Sequence, residues 1–385
     1  MNTMKYLILL PATLTLFAHA AEQKQPKIVS VYFLEALAPR DTTSSESFRK
    51  EFESSIALGL QLSNAELSKC GYKIEPKINL YNASDTLQAR EKAEAAQKEG
   101  AWMIVGPRRS NHYLLVANGA PETPSVSLMA SASDIEKLGS LHLSAYASNP
   151  KLAEVAATLA KAATKKKNKA KYFSVVSEDC LVCREFSEFF DKSATANGLK
   201  KTGEIKVTGE QPDTTPIISA IEIVDADIVL VPNYSQVSVQ IISAIQAKKP
   251  NTVFIGGDGW GDGQFGFMDK NPAIALAHGI TIRGFPPTDI GLKNFPLGAA
   301  ALKEKDKGQF CPSSGPGMAI LRIIQGTKDL LCQSKPNKKE DFIKSFSKSG
   351  KKHFTAPWGT SAYKLENGRV AYWKETSPSS GKSKP

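Results

Sequence analysis

Long hydrophobic runs are missing from this 385-residue sequence beyond its first twenty residues. A membrane-spanning helix needs about 20 consecutive apolar residues, so we expect no membrane insertion. Histidine is also scarce, with 5 residues in the chain, and those after position 20 lack metal-ligand spacing. The chain has neither a Gly-x-Ser-x-Gly elbow nor a His-Glu-x-x-His motif. These absences argue against an enzyme, and we expect no catalytic residue, no metal and no cofactor.

Acidic residues are outnumbered, with 38 Asp and Glu against 49 Lys and Arg, for a net charge of +11. A basic excess can indicate binding to nucleic acid or to an anionic membrane. Here the lysines are dispersed, with local runs at 161–171 and 348–352, and no aromatic residue interleaves the first run. We interpret both runs as solvated faces and expect no nucleic-acid partner.

The first twenty residues have the three parts of a secretory signal peptide in order. Lys5 supplies the positive charge, Tyr6–Phe17 is mostly apolar, and Ala18-His19-Ala20 fits an A-x-A cleavage site. The apolar core is too short to span a membrane, and no cysteine follows the site to carry a lipid anchor. We therefore expect cleavage before Ala21 and a soluble, exported protein.

Cysteine is scarce as well, although export would permit disulfides. The five residues are Cys70, Cys180, Cys183, Cys311 and Cys332. Cys311 and Cys332 flank one predicted helix about 20 Å long, so they would meet only if the preceding loop folded back along it. For Cys180 and Cys183, a local structural disulfide or two buried thiols is favoured over a redox pair, because no thioredoxin-like context surrounds them. Cys70 is most simply a buried thiol, and the spacing leaves the pairing open.

Strands and helices alternate along the chain in two successive series. The predicted strands lie at residues 28–33, 74–80, 103–105 and 124–127, then at 172–176, 205–207, 228–231 and 253–255. Such alternation favours parallel α/β sheets, and the length suits about two domains. We predict an α/β protein with two lobes. A hairpin around Asn367-Gly368 closes the fold.

Two strands of the second series end in turns of the kind that bind ligands. Ile228–Val231 is followed by Tyr234, and Val253–Ile255 runs into Gly256-Gly257-Asp258-Gly259. Ligands of open parallel sheets bind at the carboxyl ends of the strands. The pattern therefore makes Tyr234 and Asp258 candidate ligand-binding residues, while a tight turn capped by the aspartate is the structural alternative.

With these turns, the sequence resembles the type I periplasmic binding proteins, and among them the leucine/isoleucine/valine-binding group that serves ABC importers. Ile104-Val-Gly-Pro107 resembles the family's Ile-Gly-Pro strand end. Pro124-Ser-Val-Ser127 followed by Ala130-Ser131 resembles its binding loop, and Gly256-Gly-Asp-Gly259 resembles the turn that carries an acidic ligand-binding residue. The resemblance covers residues 27–373.

The resemblance implies two Rossmann-like lobes with parallel sheets, joined by a multi-strand hinge, whose cleft closes on an amino-acid-like ligand. It also implies a periplasmic location and delivery to an ABC transporter permease. Carried over residue by residue, Ser110, Ala130 and Ser131 would hold the ligand carboxylate and part of its amine. Tyr234 and Asp258 would bind the ammonium group by charge-assisted hydrogen bonds.

The resemblance also suggests how the chain is divided. The expected segments are a signal peptide at 1–20, lobe 1 at 27–143 plus 283–352, lobe 2 at 144–282 plus 353–375, and a disordered tail at 376–385.

Some residues depart from the family pattern. Leu181-Val182 stands where the family often has Tyr-Gly, which removes an aromatic wall, and Met129 could narrow the pocket. Arg108 and Arg109 lie beside Ser110, and an inward-pointing arginine would favour a more anionic ligand; arginines are more often exposed. A ligand-sensing or partner-binding protein on the same fold, not coupled to transport, is the alternative function.

Overall fold

The structure is a computed structural model that describes residues 25–37, 43–164, 170–209, 211–261, 272–355, 359–366 and 369–376. The predicted signal peptide, the Asn367-Gly368 turn and residues 377–385 lie outside this part of the chain. Within it, no helix combines the length and the apolar character needed to cross a membrane.

The first sheet has five strands that all pair in parallel, in the order β2-β1-β3-β4-β5. They are β1 (Lys27–Leu37), β2 (Tyr72–Asn82), β3 (Met103–Val105), β4 (Ser125–Ser127) and β5 (His142–Ser144). The helices between them are α1 (Thr43–Lys69), α2 (Leu87–Lys98) and α3 (Ser110–Gly119). The parallel α/β architecture predicted from the alternating pattern is confirmed here.

Helix α1 packs through one apolar stripe. Phe48, Phe52 and Ile56 recur every four residues and are almost fully buried, as expected for one face of an α-helix. Burying each of these side chains stabilises the fold by about 1.5–3 kcal/mol relative to leaving it exposed.

The second sheet has seven strands in the order β12-β11-β10-β9-β8-β6-β7. They are β6 (Lys171–Ser177), β7 (Lys200–Val207), β8 (Ile228–Val231), β9 (Val253–Gly256), β10 (His278–Arg283), β11 (Thr360–Glu366) and β12 (Arg369–Thr376). The associated helices are α4 (Asn149–Ala163), α5 (Leu181–Ala196), α6 (Thr215–Val224) and α7 (Ser235–Gln246). All pairings are parallel except β11 with β10 and with β12. Strand β12 reaches Thr376, one residue into the predicted tail.

Between the second sheet's β10 and β11, the chain returns to the side of the first sheet. Four helices lie there: α8 (Thr288–Lys293), α9 (Pro296–Asp306), α10 (Gly315–Ser334) and α11 (Lys339–Phe354). Helices α9 and α10 pack against α1, and α11 packs against α10 and β5. The chain therefore passes between the two sheets after β5, after β10 and after α11.

Aromatic side chains hold these passages together. The rings of Tyr146, after β5, and Phe285, after β10, meet edge to face with centroids 4.7 Å apart. The Tyr363 hydroxyl on β11 donates a 2.9 Å hydrogen bond to the Phe285 carbonyl. The two sheets are thus connected by several chain segments that pack against one another.

The disulfides show that the candidate pairing of Cys311 with Cys332 is wrong and that Cys180 and Cys183 are paired. Cys332 pairs with Cys70, not with Cys311, and ties the end of α10 to the end of α1 across 262 residues of sequence. Cys311 is the free, half-buried cysteine. The expectation failed because the α1–α10 packing, which brings Cys70 to Cys332, is a long-range contact that spacing cannot show. Cys180 and Cys183 form a local disulfide at the start of α5.

Candidate functional site

Ser110 joins the loops that follow β3 and β4 at the carboxyl end of the first sheet. It is the first residue of α3 and is buried. Its Oγ accepts hydrogen bonds from the amides of Ser131 (3.1 Å) and Ala132 (3.2 Å). A hydroxyl has two lone pairs and one proton. Both lone pairs of Ser110 are used, and its proton has no acceptor among the residues that the structure describes. We call Ser110 and residues 130–133 the first edge.

The rest of the first edge is also tied down by hydrogen bonds. The Ser127 hydroxyl donates to the Pro107 carbonyl at 2.6 Å and accepts the Ala130 amide at 3.0 Å. The Ser144 hydroxyl donates to the Ala130 carbonyl at 2.7 Å. The Ser131 hydroxyl differs, because it has no hydrogen-bond partner among the described residues although Ser131 is only 3% exposed. The first edge therefore presents two hydroxyl protons that can be donated to a ligand.

Beside this edge, Arg108 and Arg109 differ in how far they are exposed. Arg109 is exposed. The Arg108 guanidinium is 4.0 Å from the centre of the Phe48 ring, and its Nε is 3.7 Å from a carboxylate oxygen of Glu35. Arg108 is thus folded against the protein, and its charge lies beside an acidic partner.

Glu35 is a buried carboxyl group that the sequence analysis missed. It lies in β1 with 0% exposure and accepts hydrogen bonds from the amides of Ala36 (2.9 Å) and Arg108 (3.2 Å). Burial raises the pKa of Glu35, and the positive charge of Arg108 opposes this rise. In the sequence, Glu35 is recognisable as a glutamate within a mostly apolar strand. Because a carboxylate is almost never fully buried unless it is paired, such a position predicts a buried partner.

His112 lies in α3, close to the first edge, and is buried. Its Nδ1 is 3.1 Å from the Tyr81 hydroxyl, and its Nε2 is buried without a partner among the described residues. Burial lowers the pKa of His112 to about 4, so the ring is neutral at neutral pH. No cluster of potential metal ligands occurs in the described part of the chain.

Tyr234 and Asp258 lie at the carboxyl ends of neighbouring strands in the second sheet, β8 and β9. Tyr234 precedes α7 and is half-exposed, and Asp258 opens a 3-10 turn and is partly buried. The two positions are adjacent, because a Cβ built on Gly259 would come within 3.2 Å of the Tyr234 ring. We call Tyr234 and Asp258 the second edge.

Asn233 fixes the backbone that carries the second edge. Its Oδ1 accepts the Ser177 amide at 2.7 Å, and its Nδ2 donates to the Val175 carbonyl at 2.9 Å. Asp258 lies near Tyr146 in the passage between the sheets. The pKa of Tyr146 is raised well above its usual value by burial, and the negative charge of Asp258 adds to the rise.

Glu185 on α5, another residue that the sequence analysis missed, joins the first edge to the helices of the second sheet. Its carboxylate accepts hydrogen bonds from the Ser133 amide (2.9 and 3.1 Å), the Ser133 hydroxyl and the Asn149 amide nitrogen (2.7 Å). Leu181, at the start of the same helix, is exposed. Met129 is half-buried and packs against the hydrophobic core. No short motif distinguishes Glu185 in the sequence.

Two α/β sheets linked by several chain passages, with polar carboxyl ends that face one another, define a two-lobed binding protein. A family model for periplasmic binding proteins matches residues 36–263, more than half of the 385 residues. The chain therefore belongs to the periplasmic binding protein family, as the resemblance predicted. A comparison with curated proteins finds no match.

Solved structures share this fold over nearly the whole chain. A leucine-, isoleucine-, valine-, threonine- and alanine-binding protein from Brucella ovis is 14% identical, with a TM-score of 0.71 over 91% of this chain and 95% of that one. The leucine-binding protein LivK from Thermotoga maritima is 14% identical, with a TM-score of 0.69 over 90% and 98%. A solute-binding protein from R. palustris in complex with 4-hydroxybenzoate is 15% identical, with a TM-score of 0.66 over 91% and 96%. At these identities the likeness shows the fold.

Proposed function

We propose that this protein is an exported, periplasmic solute-binding protein that captures a small amino-acid-like ligand and delivers it to the permease of an ABC importer. The ligand lies in a cleft between two lobes, and the lobes close around it by hinge motion. The protein performs no reaction of its own.

The observation that carries this proposal is the chemical difference between the two edges. The first edge offers the hydroxyl protons of Ser110 and Ser131. The second edge carries the Asp258 carboxylate. Hydroxyl donors suit a ligand carboxylate and a carboxylate suits a ligand ammonium, so the pair matches a zwitterionic amino acid.

The ligands named for solved relatives support a carboxylate at the first edge. Leucine and isoleucine are bound by two of them, and 4-hydroxybenzoate by another. All three molecules carry a carboxylate, while only the amino acids carry an ammonium. Recognition of the carboxylate is therefore the shared requirement, and Asp258 selects the amino acids. Arg108 does not shift this preference towards anions, because its charge lies beside that of Glu35.

A thermal-shift screen of the mature protein tests the binding claim. The panel contains amino acids, their amides, and carboxylic acids without an amine, including hydroxybenzoates. A ligand that binds only the folded state raises the apparent melting temperature, so amino acids should give the largest shifts. Delivery is tested separately by uptake of the labelled ligand, which should fall when the protein is removed from cells and recover when it is restored.

A further inference from the structure

Glu185 connects the first edge to the helix that follows β6 of the second sheet. Its carboxylate accepts bonds from three groups: the amide and the hydroxyl of Ser133, and the Asn149 side-chain nitrogen. Hydrogen bonds to an ionised acceptor are roughly twice as strong as neutral ones. Ser133 and Glu185 are 52 residues apart in sequence, so this contact depends on how the two halves of the molecule meet.

The orientation of Asn149 shows that the structure favours this contact. Its Nδ2 donates to Glu185 and, at 3.4 Å, to the Val182 carbonyl, while its Oδ1 is buried with no partner among the described residues. Turning the amide over would place an oxygen against the Glu185 carboxylate. In the observed orientation the buried Oδ1 has no hydrogen-bond partner among the described residues, which is unfavourable. The hydrogen bond from Nδ2 to the Glu185 carboxylate compensates for this cost.

Glu185 also lies on a constrained part of the chain. The Cys180–Cys183 disulfide closes the first turn of α5, and the Cys183 amide donates to the Cys180 sulfur. A side chain carried on a fixed helical turn needs less ordering of its backbone when it binds. Glu185 is therefore presented to the first edge by a rigid support.

The contact reaches the candidate site through Asn149 and Ser133. The Asn149 backbone amide donates to the Ser131 carbonyl at 2.7 Å, and Ser133 is two residues after Ser131. Glu185 therefore holds both ends of the segment that carries the Ser131 hydroxyl. Moving the two sheets apart would break the bonds from Glu185 to Ser133.

We propose that this structure is the closed form of the cleft and that Glu185 is a positioning residue that latches it: Glu185 holds residues 131–133 in their binding arrangement and stabilises the closed form relative to the open form. It does not touch the ligand. A ligand that binds the closed form gains apparent affinity in proportion to the population of that form, so the latch raises affinity without a contact of its own. The effect on affinity rests on the proposed function, whereas the contact itself does not.

Hydrogen exchange of the ligand-free protein tests the contact directly. The Ser133 amide, which donates to Glu185, should exchange about tenfold faster or more in Glu185→Ala, because it loses a charged acceptor. The Ile104 amide, which donates to the Pro124 carbonyl within the first sheet, is the internal reference and should not change. Glu188→Ala is the matched control, since Glu188 is exposed on the same helix. Glu185→Gln keeps the length of the side chain and one acceptor oxygen, and should restore part of the protection.

Unchanged Ser133 exchange in both Glu185 variants would overturn the proposal. A second measurement uses L-leucine as the probe in calorimetric titrations of wild type, Glu185→Ala and Glu188→Ala. The latch predicts about tenfold weaker binding for Glu185→Ala alone. Tighter binding would instead show that Glu185 competes with the ligand for the first edge, and would also overturn it. If wild type binds no amino acid, the proposed function fails while the exchange result still decides the contact.

Discussion

The first and second edges solve the same structural task in different ways. At the first edge, hydroxyl groups hold the backbone, and Ser110 alone binds two consecutive amides. At the second edge, the buried amide of Asn233 holds the strands, and Tyr234 beside it remains half-exposed. Under the proposed function, the first edge would use its scaffold as its binding surface, whereas the second edge would separate the two. A substitution at the first edge should therefore affect stability and binding together, and one at the second edge should affect them separately.

Asn233→Ala should have the largest effect on stability. It leaves the Ser177 amide and the Val175 carbonyl without their partner in a buried region. Two unsatisfied groups at 1–3 kcal/mol each predict a loss of about 4 kcal/mol in the free energy of unfolding. Urea denaturation measures this loss, and a change below about 1 kcal/mol would show that Asn233 is not the support of the second edge.

Acid should destabilise the folded protein through His112, which lies close to the first edge. Its pKa is lowered to about 4 in the folded protein and is about 6.5 in an unfolded chain. The unfolded state therefore binds the proton first, and stability is lost as the pH falls from about 6.5 to about 4, by at most about 3 kcal/mol.

His112→Gln should remove this part of the pH dependence while leaving the contribution of Glu35 in place. The free energy of unfolding is measured for wild type and for His112→Gln between pH 4 and pH 7. Parallel pH profiles for wild type and variant would contradict it.

Ser110→Ala should lower stability and binding together. It removes the acceptor of the Ser131 and Ala132 amides and the proton proposed to bind the ligand carboxylate. We expect a loss of about 2 kcal/mol in unfolding free energy and about 30-fold weaker binding of an amino acid. Ser219→Ala is the control, because Ser219 is exposed and, among the described residues, its hydroxyl bonds to the Thr215 carbonyl of its own helix. Loss of stability with unchanged affinity would leave Ser110 as a purely structural residue.

Asp258→Asn should change binding with little change in stability. The variant keeps the shape of the side chain and loses the charge that attracts an ammonium. We expect about tenfold weaker binding of amino acids, the effect of roughly 1.4 kcal/mol, and unchanged binding of carboxylic acids that lack an amine. Asp289→Asn controls for the lost charge, since within the described part of the chain Asp289 pairs with Lys305 on an exposed surface. Equal effects on both ligand classes would remove Asp258 from the ammonium site.

The sequence predicted those parts of the fold that depend on local pattern. The buried run at Ile228–Val231 identified β8. The family resemblance named Ser110 and Ser131 together, and the structure brings these two residues into contact. The short strands β5 and β10 were not predicted. Strand β5 has only three residues, two of them polar, and β10 begins with an exposed histidine. Neither segment shows the regular pattern of apolar residues that predicts a strand.

Long-range contacts account for what the sequence could not predict. The Cys70–Cys332 pairing spans 262 residues and depends on the packing of α1 against α10. Glu185 resembles any other charged residue on an amphipathic helix until the first edge is placed beside it. The partners of such side chains depend on the tertiary structure, and short sequence motifs do not predict them.

The most direct test of the account is one thermal-shift comparison on the wild-type protein with matched ligands: an amino acid, the amide that lacks its carboxylate, and the acid that lacks its amine. The account predicts the largest rise in melting temperature for the amino acid, a smaller rise for the acid and none for the amide. A rise for the amide equal to that for the amino acid would contradict a carboxylate site at the first edge. No rise for any amino acid would contradict the proposed function.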